Sequence, residues 1–516
     1  MPNVLVNEPV VRRHQQILMT FIIGLLATVS IWTNKIYYVD DYSRLLSGES
    51  SYWISNGRPL TTVLNVLMRF STISVDISPL PLIIGLLILA TASVIYCEKL
   101  ALPLKGYWQC IPPLFILLNP FLAQSMLFTY DSFTMLLSVA IAMVASTHYN
   151  LGIIKSFLLT TLLLIMVLSS YQIGINIYLG CLTLVLVDRL IRQKTVTGFI
   201  AEKLLSMLMA LFVYKFLIVH IDPRDVYTLK HSKLMLLDRN VFSQVSNNLQ
   251  FIYATFNSAF PFYRKLGLLI PLIAAYAGLY ALHHKMIREQ NGKPARKWLT
   301  ALMLFAAPLV MVIAVPGISL LLANPVNYPR ILSAWGCVPL FGLYITVMAF
   351  PEYKRWIAGF YIAPLLYSLI VMLTIFNSVA SGQRYVSGVV QEIKFQLSQY
   401  PLNEIKKMAF VGRLGIPPDV RMGAINFPIV SLIRTNMIRE NFDWGVANLF
   451  GYENVFYPPV MPTTQEMKSF SPEHYLSQNC DYRLFIYKET AVFDLRQANP
   501  ALKCLAEPNT ALLIDN

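Results

Sequence analysis

The sequence predicts a polytopic α-helical membrane protein of about eleven transmembrane helices, followed by a small soluble α/β domain. Three observations lead there. Hydrophobic residues make up 56% of the chain and charged residues only 13%, and mean hydropathy is +0.55. Apolar runs long enough to cross a bilayer, which takes ~20 residues, recur as far as Phe376. From about Gly382 no such run follows, and charges, prolines and aromatics are scattered instead. The formal charge of +14, from 41 Lys+Arg against 27 Asp+Glu, would suggest nucleic acid in a soluble basic protein. Much of the excess here falls in short loops between apolar runs, where the positive-inside rule puts it. Membrane lipids are therefore expected partners, and nucleic acid is not.

The first run is Ile17 to Ile36, preceded by Arg12, Arg13 and His14. It is too long for the apolar core of a signal peptide and no clean small-residue cleavage site follows, so a cleavable leader is not expected. Arg58 to Phe70 is shorter and amphipathic, and reads as an interfacial helix. Further spans are Leu80–Cys97, a proline-interrupted Cys110–Phe128, Phe133–Thr147, Ile154–Ser170, Ile173–Leu190 and Leu204–His220. A long polar segment, Asp222 to Lys265, precedes the runs Leu266–Leu282, Trp298–Val315, Ile331–Phe350 and Ile357–Phe376. The N-terminus and the loops after even-numbered spans are short and basic, which makes them cytoplasmic. Asp40, Asp41, the polar segment and everything after Asn377 then lie outside. That polar segment is itself basic, with Arg224, Lys230, Lys233, Arg239, Arg264 and Lys265. Long loops translocate regardless of charge, and an anionic ligand is one reason to keep such a loop.

The chain divides on this reading into a transmembrane part, 1–378, and an outer C-terminal domain, 379–516. In the latter, Val389, Val390, Ile393 and Leu397 lie at helical spacing within Val386–Tyr400. Met408–Val411 and Arg483–Tyr487 read as strands. The domain is long enough to bury its own core. Of the six cysteines, Cys97, Cys110, Cys181 and Cys337 lie in or beside spans as small hydrophobes. Cys480 and Cys504 form an isolated pair in the outer domain, which favours a disulfide. No CxxC, HExxH or P-loop pattern occurs.

The adjacent acids Asp40 and Asp41 follow the first span directly. Neighbouring carboxylates at a lipid–water boundary are costly to keep ionised and couple in titration, which points to chemistry or ion handling there. The competing reading is two solvated loop acids beside interfacial aromatics.

Together with later elements, this pair carries a resemblance. Asp40-Asp41-Tyr42-Ser43-Arg44, Trp53 and Gly57-Arg58-Pro59-Leu60 come first. Asn119-Pro120, Tyr130-Asp131-Ser132, Tyr171-Gln172, Asn324-Pro325 and Tyr328-Pro329-Arg330 follow. In order and placement they resemble the serotype-converting O-antigen glucosyltransferases of bacteria and their phages. The match runs from about Thr20 to Arg330 and extends only loosely into the terminal domain. It implies a GT-C-like fold in the bacterial inner membrane. It also implies undecaprenyl phosphate-glucose as donor and lipid-linked O-antigen as acceptor, meeting on the periplasmic side.

Inverting transfer from a sugar phosphodiester needs a base for the acceptor hydroxyl and cations for the departing phosphate. Asp41 and Asp40 are the first candidates for the base, with Asp41 slightly ahead, and Asp131 is the second. For the phosphate, Arg330 stands first, since a guanidinium at the outer start of a span suits a phosphodiester. Arg58 is second, and Lys230, His231 and Lys233 come third. Each has a plainer role open to it, as a snorkelling or solvated cation. Trp53, Tyr42 and Tyr130 are candidates to stack on sugar rings, although aromatics at this depth are commonly interface anchors. Tyr171 and Gln172 lie in a tight outer turn, where the resemblance adds a sugar-binding role. Asn119-Pro120 is expected to shape a helix break. No cofactor is expected, and no metal, because Arg and Lys can neutralise the phosphate. Three alternatives stand beside this reading: a GT-C transferase for another polyprenyl-phosphate sugar, a flippase for lipid-linked sugars, and a binding subunit of an envelope glycan complex. Against the flippase, no internal repeat or mid-membrane acid is visible.

Overall fold

The computed structural model describes residues 11–149, 151–218, 221, 230–231, 233, 235, 241–261, 273–285, 294–326, 328–400, 405–439, 442–454 and 475–496. The chain forms two compact units. One comprises Met1–Trp32 and Glu49–Leu373, the other Thr33–Gly48 and Thr374–Asn516.

The first unit is helical. Among the described residues, five helices are long and apolar enough to cross a membrane, including Leu80–Lys99, Ile153–Ser170 and Gly174–Ile191. Leu80–Lys99 packs on Ser132–Ser146, which in turn packs on Ile153–Ser170 and Gly174–Ile191. A Cβ at Gly85 would lie 3.2 Å from the Phe133 Cα, so the missing side chain lets the first two helices approach closely. The proline-rich run breaks into Ile111–Leu117 and Ala123–Leu127. Asn119 stands in the break, where its Oδ1 accepts the Phe121 N–H at 3.1 Å and its amide donates to the Ser333 carbonyl.

The helix Thr197–Val213 begins earlier than its apolar run and buries Glu202 and Lys203. Lys203 is 0% exposed. Its Nζ donates to Thr160 Oγ1 at 2.7 Å and lies 3.5 Å from Glu202 Oε1, which also accepts Ser156 and Thr160. A buried charge pair is tolerable only when hydrogen-bonded in this way.

The segment expected to be polar loop contains the helix Val241–Ala259. Two of its polar residues face protein: Gln244 donates to the Ala323 carbonyl, and Asn248 to those of Leu320 and Leu322.

In the second unit, the last apolar run and the expected amphipathic helix form one helix, Ile362–Ser398, whose C-terminal part belongs here. Four strands follow: β1 (Lys407–Val411), β2 (Ser477–Gln478), β3 (Arg483–Tyr487) and β4 (Thr490–Asp494). Their order is β1-β4-β3-β2. β1 pairs with β4 in parallel, and the other two pairs are antiparallel. Side chains alternate between the faces as the pleat requires. Met408, Phe410, Leu484 and Phe493 join Val389, Val390 and Ile393 in the larger core, whereas Ala409, Val411, Phe485 and Val492 form a smaller one behind. Cys480 is disulfide-bonded; its expected partner Cys504 lies outside the described residues.

Candidate functional site

In the membrane unit, residues far apart in sequence converge on Asp131. This residue precedes the helix Ser132–Ser146, and Arg58 precedes the helix Pro59–Arg69, whose first position holds a proline suited to a helix start. Trp53 Nε1 donates to Asp131 Oδ1 at 2.7 Å. Arg58 Nη1 lies 3.7 Å from Asp131 Oδ2. The guanidinium also stacks over the Tyr171 ring at 4.9 Å and donates through Nε to Gln172 Oε1 at 3.3 Å. Gln172 Nε2 then donates to the Tyr214 hydroxyl at 2.7 Å and the Asn56 carbonyl at 3.2 Å. Asp131 is 2% exposed and Trp53 0%. Both carboxylate oxygens are thus turned to donors of the protein, and the indole has no open face for a sugar.

Gly57 allows this assembly. Its φ is +68°, and a Cβ there would lie 2.6 Å from the Tyr214 hydroxyl oxygen. Tyr214 lies inside an apolar run, and nothing in the sequence marks its hydroxyl as part of the network.

The other cations are placed separately. Arg69 covers the Tyr130 ring at 5.1 Å and donates to the Val75 carbonyl at 2.8 Å. Arg330 lies between the rings of Phe128 and Tyr328, at 5.0 and 4.9 Å, and its backbone N–H donates to Gln124 Oε1 at 3.2 Å. His231 Nδ1 is 2.8 Å from the Asn324 carbonyl, and the Lys233 carbonyl accepts the Ala323 N–H at 2.8 Å. Lys230 and Lys233 are exposed.

The acid pair belongs to the other unit. Asp40 and Asp41 open the helix Asp40–Ser47. Asp41 is 0% exposed. Its Oδ2 accepts the Tyr38 N–H at 2.8 Å, and its Oδ1 lies 3.8 Å from Arg44 Nη1. Asp40 is only partly buried. Tyr42 meets the rings of Tyr37 and Tyr452 edge-on at 6.2 and 5.5 Å. It is a core residue at 4% exposure, not an open stacking platform, and burial, followed by the neighbouring Tyr452 and Glu453, pushes its hydroxyl pKa up. Hydrogen bonds hold the segment in place, among them that of the Tyr38 hydroxyl to the Ile433 carbonyl at 2.6 Å and that of the Tyr37 N–H to Gln383 Oε1 at 3.0 Å.

Membrane-length helices with buried carboxylate–arginine constellations at helix ends define an integral membrane protein carrying polar sites. Residues 29–350 match the family described as glucosyl transferase GtrII. The chain belongs to that family. It is also 26% identical over 459 residues to a Salmonella phage P22 protein, covering 86% of this chain and 91% of that one. That relative is described as an uncharacterized 55.3 kDa protein in the gtrB 5' region. No solved structure matches the chain.

Proposed function

We propose that the protein transfers glucose from undecaprenyl phosphate-glucose to a sugar of lipid-linked O-antigen on the periplasmic side of the inner membrane. Asp40 serves as the base. The packing of the acid pair carries this reading: Asp41 is buried against the Tyr38 N–H and Arg44, while Asp40 beside it stays accessible. The order of the two acids expected from sequence is thereby exchanged, with Asp41 fixing the start of the helix that presents Asp40. The acceptor hydroxyl loses its proton to Asp40 as its oxygen attacks the anomeric carbon. The bond from that carbon to the phosphate oxygen breaks, and the lipid phosphate leaves as an anion that needs cations and no general acid. Asp131 is less open to an acceptor hydroxyl, because both its oxygens already face Trp53 and Arg58.

The test is transfer of labelled glucose by purified protein, with and without EDTA, comparing wild type, Asp40→Asn and Asp41→Asn. Loss of a positioned base costs roughly 10²–10⁴ in rate, so Asp40→Asn is expected to lose that much under both conditions. An Asp40→Asn variant with wild-type turnover refutes the assignment.

A further inference from the structure

The second unit holds two arginines that the reaction described above does not use. Arg434 follows the helix Ile429–Ile433, and its stem lies along Gly382, where a Cβ would be 3.7 Å from the Arg434 Cδ. Among the described residues, the Arg434 guanidinium has neither a hydrogen bond nor a carboxylate within ion-pair distance. Arg413 is brought into the same corner by the backbone. The Leu414 N–H donates to the Ile438 carbonyl at 3.0 Å, and Asn436 Nδ2 donates to the Leu414 carbonyl at 2.9 Å. Burial, and then the like charge of Arg413, pulls the Arg434 pKa down to about 10, with the Tyr385 phenol opposing in part. A half-buried guanidinium without a carboxylate partner among the described residues suits an anion from outside.

This corner is joined to the acid pair within the same unit. The Ile433 carbonyl, next to Arg434, accepts the hydroxyl of Tyr38, two residues before Asp40. Gln383, next to Gly382, accepts the Tyr37 N–H.

We propose that Arg434 and Arg413 form a phosphate-ester subsite beside the acid pair, which binds the phosphate of a lipid-linked sugar. The proposal rests on the transferase reading above, and it locates a phosphate site in a part of the chain from which the sequence offered no cation. Donor and acceptor both carry such an anion, a monophosphate diester in one and a diphosphate in the other. Arg330 and Arg58 lie in the other unit, where they engage Phe128, Tyr328, Tyr171 and Gln172.

The experiment uses the full-length protein in detergent, as wild type, Arg434→Gln, Arg434→Lys and Arg413→Gln. Arg413 is exposed, so its replacement keeps the test open should Arg434→Gln fold poorly. The first readout is the thermal shift produced by millimolar inorganic pyrophosphate. It is expected in wild type, lost in both Gln variants and partly kept in Arg434→Lys. This readout is independent of turnover, so it supports the subsite even where glucose transfer fails with the donor named above. The second is KM for each lipid substrate, expected to rise tenfold or more in the Gln variants for whichever lipid the subsite holds. A rise for donor alone or acceptor alone identifies the source. Wild-type protein unshifted by pyrophosphate, together with unchanged KM for both lipids in folded Gln variants, overturns the proposal.

Discussion

Gly57→Ala tests how the membrane-unit network is held. At φ +68° an alanine pays a left-handed backbone cost of roughly 1–2 kcal/mol. Its Cβ would sit 2.6 Å from the Tyr214 hydroxyl oxygen, which must therefore move away from Gln172 Nε2, now 2.7 Å distant. Loss of that hydrogen bond adds about 1 kcal/mol, for a total of about 2–3 kcal/mol. Tyr214→Phe alone removes only the bond and costs about 1 kcal/mol. In the double variant the clash has no hydroxyl to meet and the bond is already gone, so only the backbone cost is added. The double variant is then about 1 kcal/mol more stable than the sum of the singles. Denaturant unfolding in detergent, followed by intrinsic fluorescence, measures all four corners of the cycle. Strict additivity would refute the argument, since the two positions would then not meet through the hydroxyl.

Other predictions follow from the same contacts. Asp131→Asn keeps an acceptor for Trp53 but removes the charge facing Arg58, and is expected to cost on the order of 3 kcal/mol in the same unfolding assay. A loss below about 0.5 kcal/mol, as for an ordinary surface pair, contradicts the reading. Glu202→Gln and Lys203→Met each leave one buried charge uncompensated at roughly 3–5 kcal/mol, whereas the double change is expected to cost less than either; thermal unfolding of the three variants decides. In the sheet, burial raises the Asp494 pKa, but the bonds to Arg496 and the charges of Arg496 and Arg483 outweigh it and leave the pKa lowered. A lowered folded-state pKa contributes stability above the unfolded value, ~3.9, that fades as pH falls through the folded one. The stability gap between wild type and Asp494→Asn is therefore expected at pH 7 and to close in acid; a gap that widens in acid excludes this origin.

Helices such as Leu80–Lys99, Ile153–Ser170 and Gly174–Ile191 were legible because a membrane span announces itself by composition over a single continuous run. Val241–Ala259 was not, because its Gln244 and Asn248 look like solvent-facing residues until the carbonyls of Leu320, Leu322 and Ala323 are seen beside them. Glu202 and Lys203 were placed outside a span for the same reason: charge reads as exposure until its partners are known. β1 and β3 were visible as short apolar runs, but their adjacency to β4 depends on pairing across distant segments. At the sites, residue types were readable and partnerships were not. Trp53 and Asp131 are 78 positions apart, and nothing local says that the indole serves the carboxylate rather than a sugar. Tyr214 sits in an apolar run, and Arg434 carries no motif.

The helix Asp40–Ser47 is grouped with residues made more than 300 positions later. The bond from Tyr38 to Ile433 closes over 395 positions. At about 5–20 residues per second, ribosomal synthesis leaves that segment waiting on the order of 20–80 s for its partners. Tyr37, Tyr42 and Leu45 are meanwhile uncovered, since the core they enter is built from Val386 onward. A nascent chain therefore holds its acid pair unassembled until the core residues from Val386 to Leu495 have been made. A truncation before Val386 leaves the helix Asp40–Ser47 without the core that Tyr37, Tyr42 and Leu45 enter.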